Sequence, residues 1–454
     1  MAYAEKRGNT WRVRYQLPDG RYDSESGFET KQDALDHGRA QETDVKRKVF
    51  VNPKDGRQTL GSWAEEWAKV MDVAETSNRT YLSRLNAVIL PQWEDTPLGD
   101  ITAIGYKSWR NKLADRHSKN YVNGIEGVMR MLLDDAVDER LIPFNPMPSK
   151  AKKRRGRHAP VDAEDTYVWP TPRQAFLAAE NARSLRGDQW RVMILTMAYT
   201  GLRMGEVAGL RRDQLRLLGL EYGRHLRVQW QGQWLSTHAK HEVAKGESCE
   251  SIAELRLADP KRAKDIADLN DVAIEARLRV GRKLLLPKGF TLVPPKYSSY
   301  RTLILPPFLA DLLAETLAST AHDVLVFPSQ RGKPLRVDDQ FYGRFWGPMI
   351  NGRDEEPSRR GRPAQTALPA VKGLEEMVPH GTRHGHKVWL DGQGHPRVAV
   401  EERMGHKLKG VEGTYSHTSA EMELAIAKGL QKLWLASQTA GEEVGADWAH
   451  RRSG

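Results

Sequence analysis

Between Lys150 and Arg157 the chain carries six positive charges in eight residues, Lys150-Ala151-Lys152-Lys153-Arg154-Arg155-Gly156-Arg157. Such a run stays hydrated, so it divides the chain into two parts that must each close a core of their own. It has three readings: a solvated tether, a mimic of a nuclear-import signal, or a segment that tracks a phosphate backbone. Under all three it is a domain boundary. The whole chain is basic too, with 70 Lys and Arg against 59 Asp and Glu, a net charge of +11 and a pI near 9.5. That excess makes a polyanion the first partner to consider. At 454 residues the chain is too long for one ordinary domain, and a 39% hydrophobic fraction with 13 tryptophans excludes wholesale disorder. The single cysteine, Cys249, excludes an internal disulfide and a cysteine-cluster metal site. Residues 1–31 lack the apolar core of a signal peptide, and no charge-free apolar run of about 18 residues follows. A soluble, cytoplasmic protein is therefore expected.

Before the break, residues 1–57 alternate like strands. Trp11, Val13 and Tyr15 are interleaved with Arg12 and Arg14, and a turn at Pro18-Asp19-Gly20 leads into a return strand at Arg21-Tyr22. Phe28 is expected to open a third strand and Thr30 to cap a helix running to about Lys48. The strand arginines either meet DNA phosphates or form a solvated face, and the solvated face is the expectation. Residues 58–148 have helical periodicity throughout. Ser62-Trp63-Ala64-Glu65 fits a capping box, with Trp63, Trp67 and Val70 on one apolar stripe, and further helices are expected over about 77–88, 102–113 and 119–137. After a linker over 149–170, a larger mixed domain is expected over 171–436, with strands within 224–235 and 290–305 and a flexible tail over 437–454. Leu424, Ile426, Leu430, Leu433 and Trp434 mark an amphipathic helix near its end, which either closes its own domain or docks on a neighbouring protomer.

The residues with chemical potential all fall in this second part. Tyr199-Thr200-Gly201-Leu202-Arg203-Met204-Gly205-Glu206 follows an apolar helix, and its glycines place Arg203 at a sharp junction suited to aiming a guanidinium at an anion. Pro379-His380-Gly381-Thr382-Arg383-His384 sets His380 and Arg383 three residues apart, on one face if the segment is helical. Met404-Gly405-His406-Lys407 and Thr414-Tyr415-Ser416-His417 follow. His380, His384 and His386 lack a carboxylate or cysteine in a recognised ligand spacing, so no metal site is expected.

Taken in order, these pieces resemble the tyrosine recombinases of the phage-integrase family. The match comprises Arg203 with Glu206, then Lys296, His380 with Arg383, Gly405-His406 and Tyr415. Lys296 is chosen because Pro294-Pro295-Lys296-Tyr297-Ser298-Ser299-Tyr300-Arg301-Thr302 resembles the family's lysine-bearing β-hairpin, with Tyr297 where threonine is usual. The resemblance implies a multidomain α+β protein. Its parts are an arm-type DNA-binding domain over 1–57, an all-α core-binding domain over 58–148 and a mainly-α catalytic domain with a β-hairpin sheet. It implies a site-specific recombinase that cuts and rejoins DNA through a 3′-phosphotyrosyl bond made by Tyr415. Arg203 and Arg383 would bind the scissile phosphate, Lys296 would be the general acid, His380 would assist proton transfer, His406 would hydrogen-bond the phosphate and Glu206 would orient the cations. Lys152, Lys153, Arg154 and Arg155 are candidate DNA contacts. No metal, nucleotide or other cofactor is implied. The implied partners are double-stranded DNA at core and arm-type sites and three further copies in a synaptic tetramer, with room for an accessory bending protein or a directionality factor.

The residue types suit this chemistry without the family. A tyrosine oxygen can be held on phosphorus and displaced again, which makes strand exchange reversible. Two arginines suit the charge that gathers on nonbridging oxygens in the transition state, and a lysine can protonate a leaving 5′-oxygen. There are two alternatives: a recombinase-derived DNA-binding regulator, and a type IB topoisomerase with the same chemistry. The filled constellation disfavours the first, and the pair of N-terminal domains disfavours the second. Residues 241–287 have a different texture, because Gly246-Glu247-Ser248, Leu269-Asn270 and Gly281-Arg282-Lys283-Leu284-Leu285-Leu286-Pro287 fall in the order of a LysM module. Known LysM modules bind N-acetylglucosamine polymers, but here a repurposed surface insertion making protein–protein contacts is expected.

Overall fold

The computed structural model describes residues 1–18, 20–47, 50–52, 54–73, 75–148, 168–219, 223–320, 322–359, 364–406 and 418–439. Lys152, Lys153, Arg154, Arg155 and Tyr415 lie outside the described residues. The chain divides into two compact units, Met1–Ala159 and Pro160–Gly454.

In the first unit β1 (Tyr3–Arg7), β2 (Thr10–Gln16) and β3 (Tyr22–Phe28) form an antiparallel sheet in that order. The period of two in β2 puts Val13 and Tyr15 on the covered face, where they pack with Ala34 and Phe50. Ala34 lies on α1 (Lys31–Lys46), whose first turn is capped by the Thr30 hydroxyl accepting the Asp33 N–H at 3.1 Å. Phe28 closes the third strand rather than opening one, since the return strand from Tyr22 runs through to it. β1 is an addition, a short mixed-polarity strand without a clear alternation. Arg12 and Arg14 both reach Glu5, at 2.5 and 3.7 Å, and so are ion-paired within the sheet.

The helical part of this unit comprises α2 (Leu60–Val70), α3 (Glu75–Arg84, continued by helical turns to Trp93), α4 (Ala103–Ala114) and α5 (Lys119–Asp138). α2 begins ahead of the Ser62 box, because Thr59 is the residue whose hydroxyl accepts a helical N–H, from Ser62 at 3.2 Å. Trp63 and Trp67 face α5, and their indoles donate to the Leu132 carbonyl at 2.9 Å and to Asp135 at 2.5 Å. Val70 leaves that stripe at the end of α2 and is 76% exposed.

The second unit is mostly helical with small sheets. α6 (Pro172–Arg186) leads into α7 (Asp188–Thr200), in which every residue from Val192 to Thr200 is buried, so α7 is the centre of the core. After α8 (Met204–Ala208) come β4 (Leu215–Arg216), β5 (His225–Val228) and β6 (Gln231–Leu235). An inserted stretch follows, with β7 (Lys240–Glu242), α9 (Cys249–Leu257), α10 (Ala263–Leu269) and β8 (Lys283–Leu285). β7 pairs with β8, and Val243, Cys249, Ile252, Ile266 and Leu284 are among the residues of a core separate from that of the parent domain. The chain returns through β9 (Gly289–Val293) and β10 (Arg301–Ile304) to α11 (Pro307–Ser319). β9 pairs with β6 and β10 with β5, both antiparallel, so β5–β6 and β9–β10 form one bent ribbon.

Farther along are α12 (Pro379–Gly392), α13 (Arg397–Met404) and α14 (Ala420–Thr439). α14 buries Ile426, Leu430 and Trp434 in its own unit, with Trp434 stacked on Phe308 at a ring separation of 4.2 Å. The Arg173 guanidinium donates to the Ser437 carbonyl at 2.9 Å. This helix closes its own domain, and it continues to Thr439, past the expected limit at 436.

The ribbon meets the helices at two glycines. A Cβ on Gly209 would lie 2.3 Å from the Gly232 nitrogen and 2.6 Å from the Gln231 carbonyl carbon, neither of which can swing aside. Gly209→Ala is therefore expected to destabilise the second unit by about 2 kcal/mol or more. Gly343→Ala, whose new methyl would meet nothing within 4 Å, is the control. Calorimetric melting of both variants checks the difference.

Candidate active site

The Gly201 turn puts the first arginine in place. Gly201 caps α7 in the left-handed conformation, φ 65°, and an added Cβ would lie 2.7 Å from the His386 ring, so only glycine fits both the turn and the contact. Arg203 then precedes α8 with extended backbone. Its N–H donates to Glu206 Oε2 at 2.9 Å and its guanidinium to Oε1 at 2.9 Å. The same carboxylate takes a bidentate pair from Arg301, at 3.1 and 2.8 Å. Glu206 and Arg301 are 1% and 2% exposed, whereas the Arg203 side chain keeps 19%. Burial by itself would raise the Glu206 carboxyl, but the Arg301 hydrogen bonds and charge, aided by Arg203, hold it below the usual carboxylate range.

The second arginine comes from α12. Arg383 is buried, and its guanidinium donates to the Gly201 carbonyl at 2.6 Å, to the Met404 carbonyl and to His406 Nε2 at 3.0 Å. Arg383 thus binds the turn that presents Arg203 to the end of α13. Burial, and then the like charges of Arg203 and Arg301, depress its proton affinity. Because His406 Nε2 accepts from Arg383, its Nδ1 carries the proton and donates to Glu401 at 2.7 Å. Glu401 in turn pairs with Lys387 at 2.9 Å. His380 sits one turn before Arg383 and keeps solvent exposure, with its ring 4.8 Å from that of His384 and nearly perpendicular to it. Desolvation, and then the positive field of His384, Arg383, Arg203 and His406, pushes its imidazole down to about 4, so it is neutral at pH 7.

The structure thus brings together Arg203, Glu206, Arg383 and His406, with His380 at their margin. Lys296 is exposed on the turn between β9 and β10, not on a strand, with its ammonium 5.0 Å from the centre of the Tyr297 ring. That turn returns to the cluster at Ser299, whose hydroxyl accepts from Arg203 at 3.4 Å and whose carbonyl accepts from Arg301 at 3.1 Å. His386 points the other way. Its Nδ1 donates to the Ala198 carbonyl at 3.0 Å and its Nε2 accepts from Arg403 at 3.2 Å, so both nitrogens are used in the core. Among the described residues, no group of three or more His, Cys, Asp or Glu could hold a metal ion.

Four participants escape the sequence reasoning: Arg301 as the second partner of Glu206, Glu401 behind His406, and the fully buried Arg403 with its partner Glu423 at 2.5 Å. Arg301 did stand at the end of the lysine hairpin motif, which is the one signal that could have found it. Arg301 Nε also donates to the Arg403 carbonyl at 2.8 Å, which links the two buried pairs.

No protein-family model matches the chain. It is 23% identical over 442 residues to a chain named as a prophage phiRv2 integrase of Mycobacterium tuberculosis (strain H37Rv), covering 93% of this chain and 92% of that one. It is 24% identical over 163 residues to the integrase of Mycobacterium phage FRAT1, covering 35% and 43%. Among solved structures, the Tn1549 transposon integrase in complex with a circular intermediate DNA superposes with a TM-score of 0.51 at 15% identity, covering 82% of this chain and 99% of that chain. The chain therefore has the integrase fold.

A depressed carboxyl contributes stability that is fully present above its unfolded value of 4.5 and lost as the pH falls through the folded value. Glu206→Gln leaves Arg301 buried without its counter-charge and is expected to destabilise the second unit by about 3–5 kcal/mol at neutral pH. The gap from wild type should narrow as the pH is lowered from neutral to below 4.5 and through the depressed folded value, where wild type loses the same interaction. Parallel melts across that range measure it.

Proposed function

We propose that this tyrosine recombinase, an enzyme that breaks and rejoins DNA strands, acts through a covalent 3′-phosphotyrosyl intermediate to integrate or excise a mobile element. The observation that carries this reading is the convergence of Arg203 and Arg383 on the Gly201 turn. Glu206 anchors one and His406 touches the other. A phosphodiester seated there meets two guanidiniums already held in place, which is where negative charge grows as phosphorus becomes five-coordinate.

The Tyr415 oxygen attacks phosphorus and its proton departs, with neutral His380 as the acceptor. The bond from phosphorus to the 5′-oxygen breaks, and Lys296 protonates that oxygen. Rejoining reverses these steps with a 5′-hydroxyl from the partner strand. The ester preserves the energy of the broken bond, so the cycle needs no nucleotide. His406 supports the phosphate through Arg383, since its Nε2 accepts from that guanidinium; a direct hydrogen bond to the phosphate requires a proton on that Nε2. Double-stranded DNA is the substrate, in keeping with the net charge of +11, and four copies pair two duplexes. Residues 1–57 and 58–148 serve as arm-type and core-binding domains on this reading, and Lys152, Lys153, Arg154 and Arg155 follow the backbone between them and the catalytic domain.

The test uses a core site recovered by selecting bound duplexes from a random pool, remade as a nicked suicide substrate. Wild type should accumulate a covalent complex. Tyr415→Phe should bind the same duplex and form none, and trapping by that variant at the wild-type level would move the nucleophile elsewhere. Arg203→Ala and Arg383→Ala should each slow cleavage by about 100- to 1,000-fold with much less effect on binding. Binding with no cleavage by wild type would favour a recombinase-derived DNA-binding regulator.

The linker reading has its own measurement. Alanine at Lys152, Lys153, Arg154 and Arg155 should flatten the slope of log affinity against log salt by about 0.9 for each phosphate that is no longer neutralised. An unchanged slope would make the run a plain tether.

A further inference from the structure

Lys296 is delivered by a short and unusual piece of chain. β9 ends at Val293, Pro294 and Pro295 follow, and Pro295 has extended backbone at φ −62° and ψ 150°. Two adjacent prolines make that link stiff, so the placement of β9 sets the placement of Lys296. Beyond it Tyr297 and Ser298 both have positive φ, 60° and 51°, although neither is glycine. Such a turn keeps its shape only when its surroundings over-determine it.

β9 has one strand partner, β6, and α9 of the inserted module packs against it. From α9 the Arg256 guanidinium donates through Nε to the Leu292 carbonyl at 2.8 Å, one residue before the end of β9. The same guanidinium lies 5.9 Å from the centre of the Trp230 ring, on the bend of the opposite ribbon arm. Its Nη1 donates to His241 Nδ1 at 2.9 Å, so the His241 Nε2–H is the donor to Glu247 at 2.8 Å. Arg256 is thus fixed on two further sides, by His241 and the Trp230 ring, where it grips the strand.

The module is held in return by the parent domain. Arg211, which is buried, donates to the Glu254 carbonyl at 2.9 Å in the last turn of α9 and pairs with Asp213 at 3.0 Å. The next residue after α9, Ala258, is buried with Phe290 and Leu292 of β9 and with Val324 and Leu325. An appendage that served only outside partners would not need this clasp.

We propose that the inserted module is a brace for the general acid, and that Arg256 is a positioning residue which fixes the β9 backbone and, through the two prolines, Lys296. The inference rests on the reading of Lys296 as the acid that protonates the 5′-oxygen. No contact between Arg256 and the DNA is involved.

The test is single-turnover cleavage by the full chain on two suicide duplexes, one with the natural 5′-oxygen at the scissile bond and one with sulfur in its place. In both, a bond from the tyrosine oxygen to phosphorus forms as the bond to the 5′-atom breaks. The departing oxygen needs the proton of Lys296. The departing sulfur leaves as a thiolate, whose conjugate acid is far stronger than an alcohol (a cysteine thiol has a pKa of about 8.5), and needs none. Lys296→Ala should be slowed about 100-fold or more on oxygen and restored to within about threefold of wild type on sulfur. Arg256→Met should show the same pattern, slowed about 10- to 100-fold on oxygen and restored on sulfur.

Rescue of Lys296→Ala together with equal slowing of Arg256→Met on both duplexes would make Arg256 merely structural and overturn the inference alone. Wild-type cleavage of the oxygen duplex by Arg256→Met would overturn it as well. Failure of sulfur to rescue Lys296→Ala would remove the reading of Lys296 and the inference with it. Should Arg256→Met fail to fold, His241→Leu, which loosens Arg256 without removing it, should give the same sulfur-rescued pattern at about 3- to 10-fold, and its absence would count equally against the brace.

Discussion

One buried carboxylate organises the catalytic unit. Glu206 takes two hydrogen bonds from Arg301 and two from Arg203, and both Glu206 and Arg301 are sealed from solvent. A buried ion pair is weak evidence for stability, since desolvating each ion costs several kcal/mol before attraction is counted. Its value here is geometric. Arg301 is the first residue of β10, and Arg203 leads into α8, so the pair joins the sheet to the turn that presents the first arginine. It also limits repulsion, because Arg203, Arg301 and Arg383 lie close enough to disturb one another. With one carboxylate between Arg203 and Arg301, and Arg383 fastened by carbonyls, the site holds its cations in place and keeps a positive excess.

A second buried pair extends the scaffold to the far side. Arg403 at the end of α13 binds Glu423 on α14 and His386 on α12, and its own carbonyl receives Arg301. Gly405 follows in the left-handed conformation, φ 67°, and a Cβ there would lie 2.9 Å from the Arg301 guanidinium. Both conditions demand glycine in front of His406. The stretch of sequence that contains Tyr415 is therefore bounded by His406 on one side and by the start of α14 on the other, and both ends are tied to the same arginine network. In the proposed mechanism that tie relates the segment carrying the nucleophile to the clamp.

Much of this was legible because local chemistry announces itself. Gly201 and Gly205 mark the turn around Arg203, the spacing of His380 and Arg383 puts them on one helix, and the alternation in β2 gives its covered face. What was not legible is pairing across distance. Glu206 and Arg301 are 95 residues apart and Arg403 and Glu423 are 20 apart on different helices, and neither pair has a period. Small misplacements have small causes: Thr59 outcompetes Ser62 as a cap, and Val70 falls past the last turn covered by α5. The inserted stretch shows the same division. Its Gly246-Glu247-Ser248, Leu269-Asn270 and Gly281 to Pro287 marks could be read as a LysM-like resemblance, but its grip on β9 depends on Arg256, an arginine with no sequence mark of its own.

The electrostatics of the cluster also set when its histidine can act. His380 is held neutral first by lost hydration and then by His384 and the Arg383 and Arg203 guanidiniums beside it, so it binds a proton only near pH 4. Burial is fixed by the fold, but the field is not. A phosphate between Arg203 and Arg383 places negative charge among those same neighbours and offsets them, which raises the proton affinity of His380. On the proposed mechanism the histidine thus becomes a better acceptor for the tyrosine proton only after the phosphate arrives. On that mechanism the cations that bind the phosphate and the field that restrains the base are the same groups, so substrate binding and activation of the nucleophile are coupled without any change of fold.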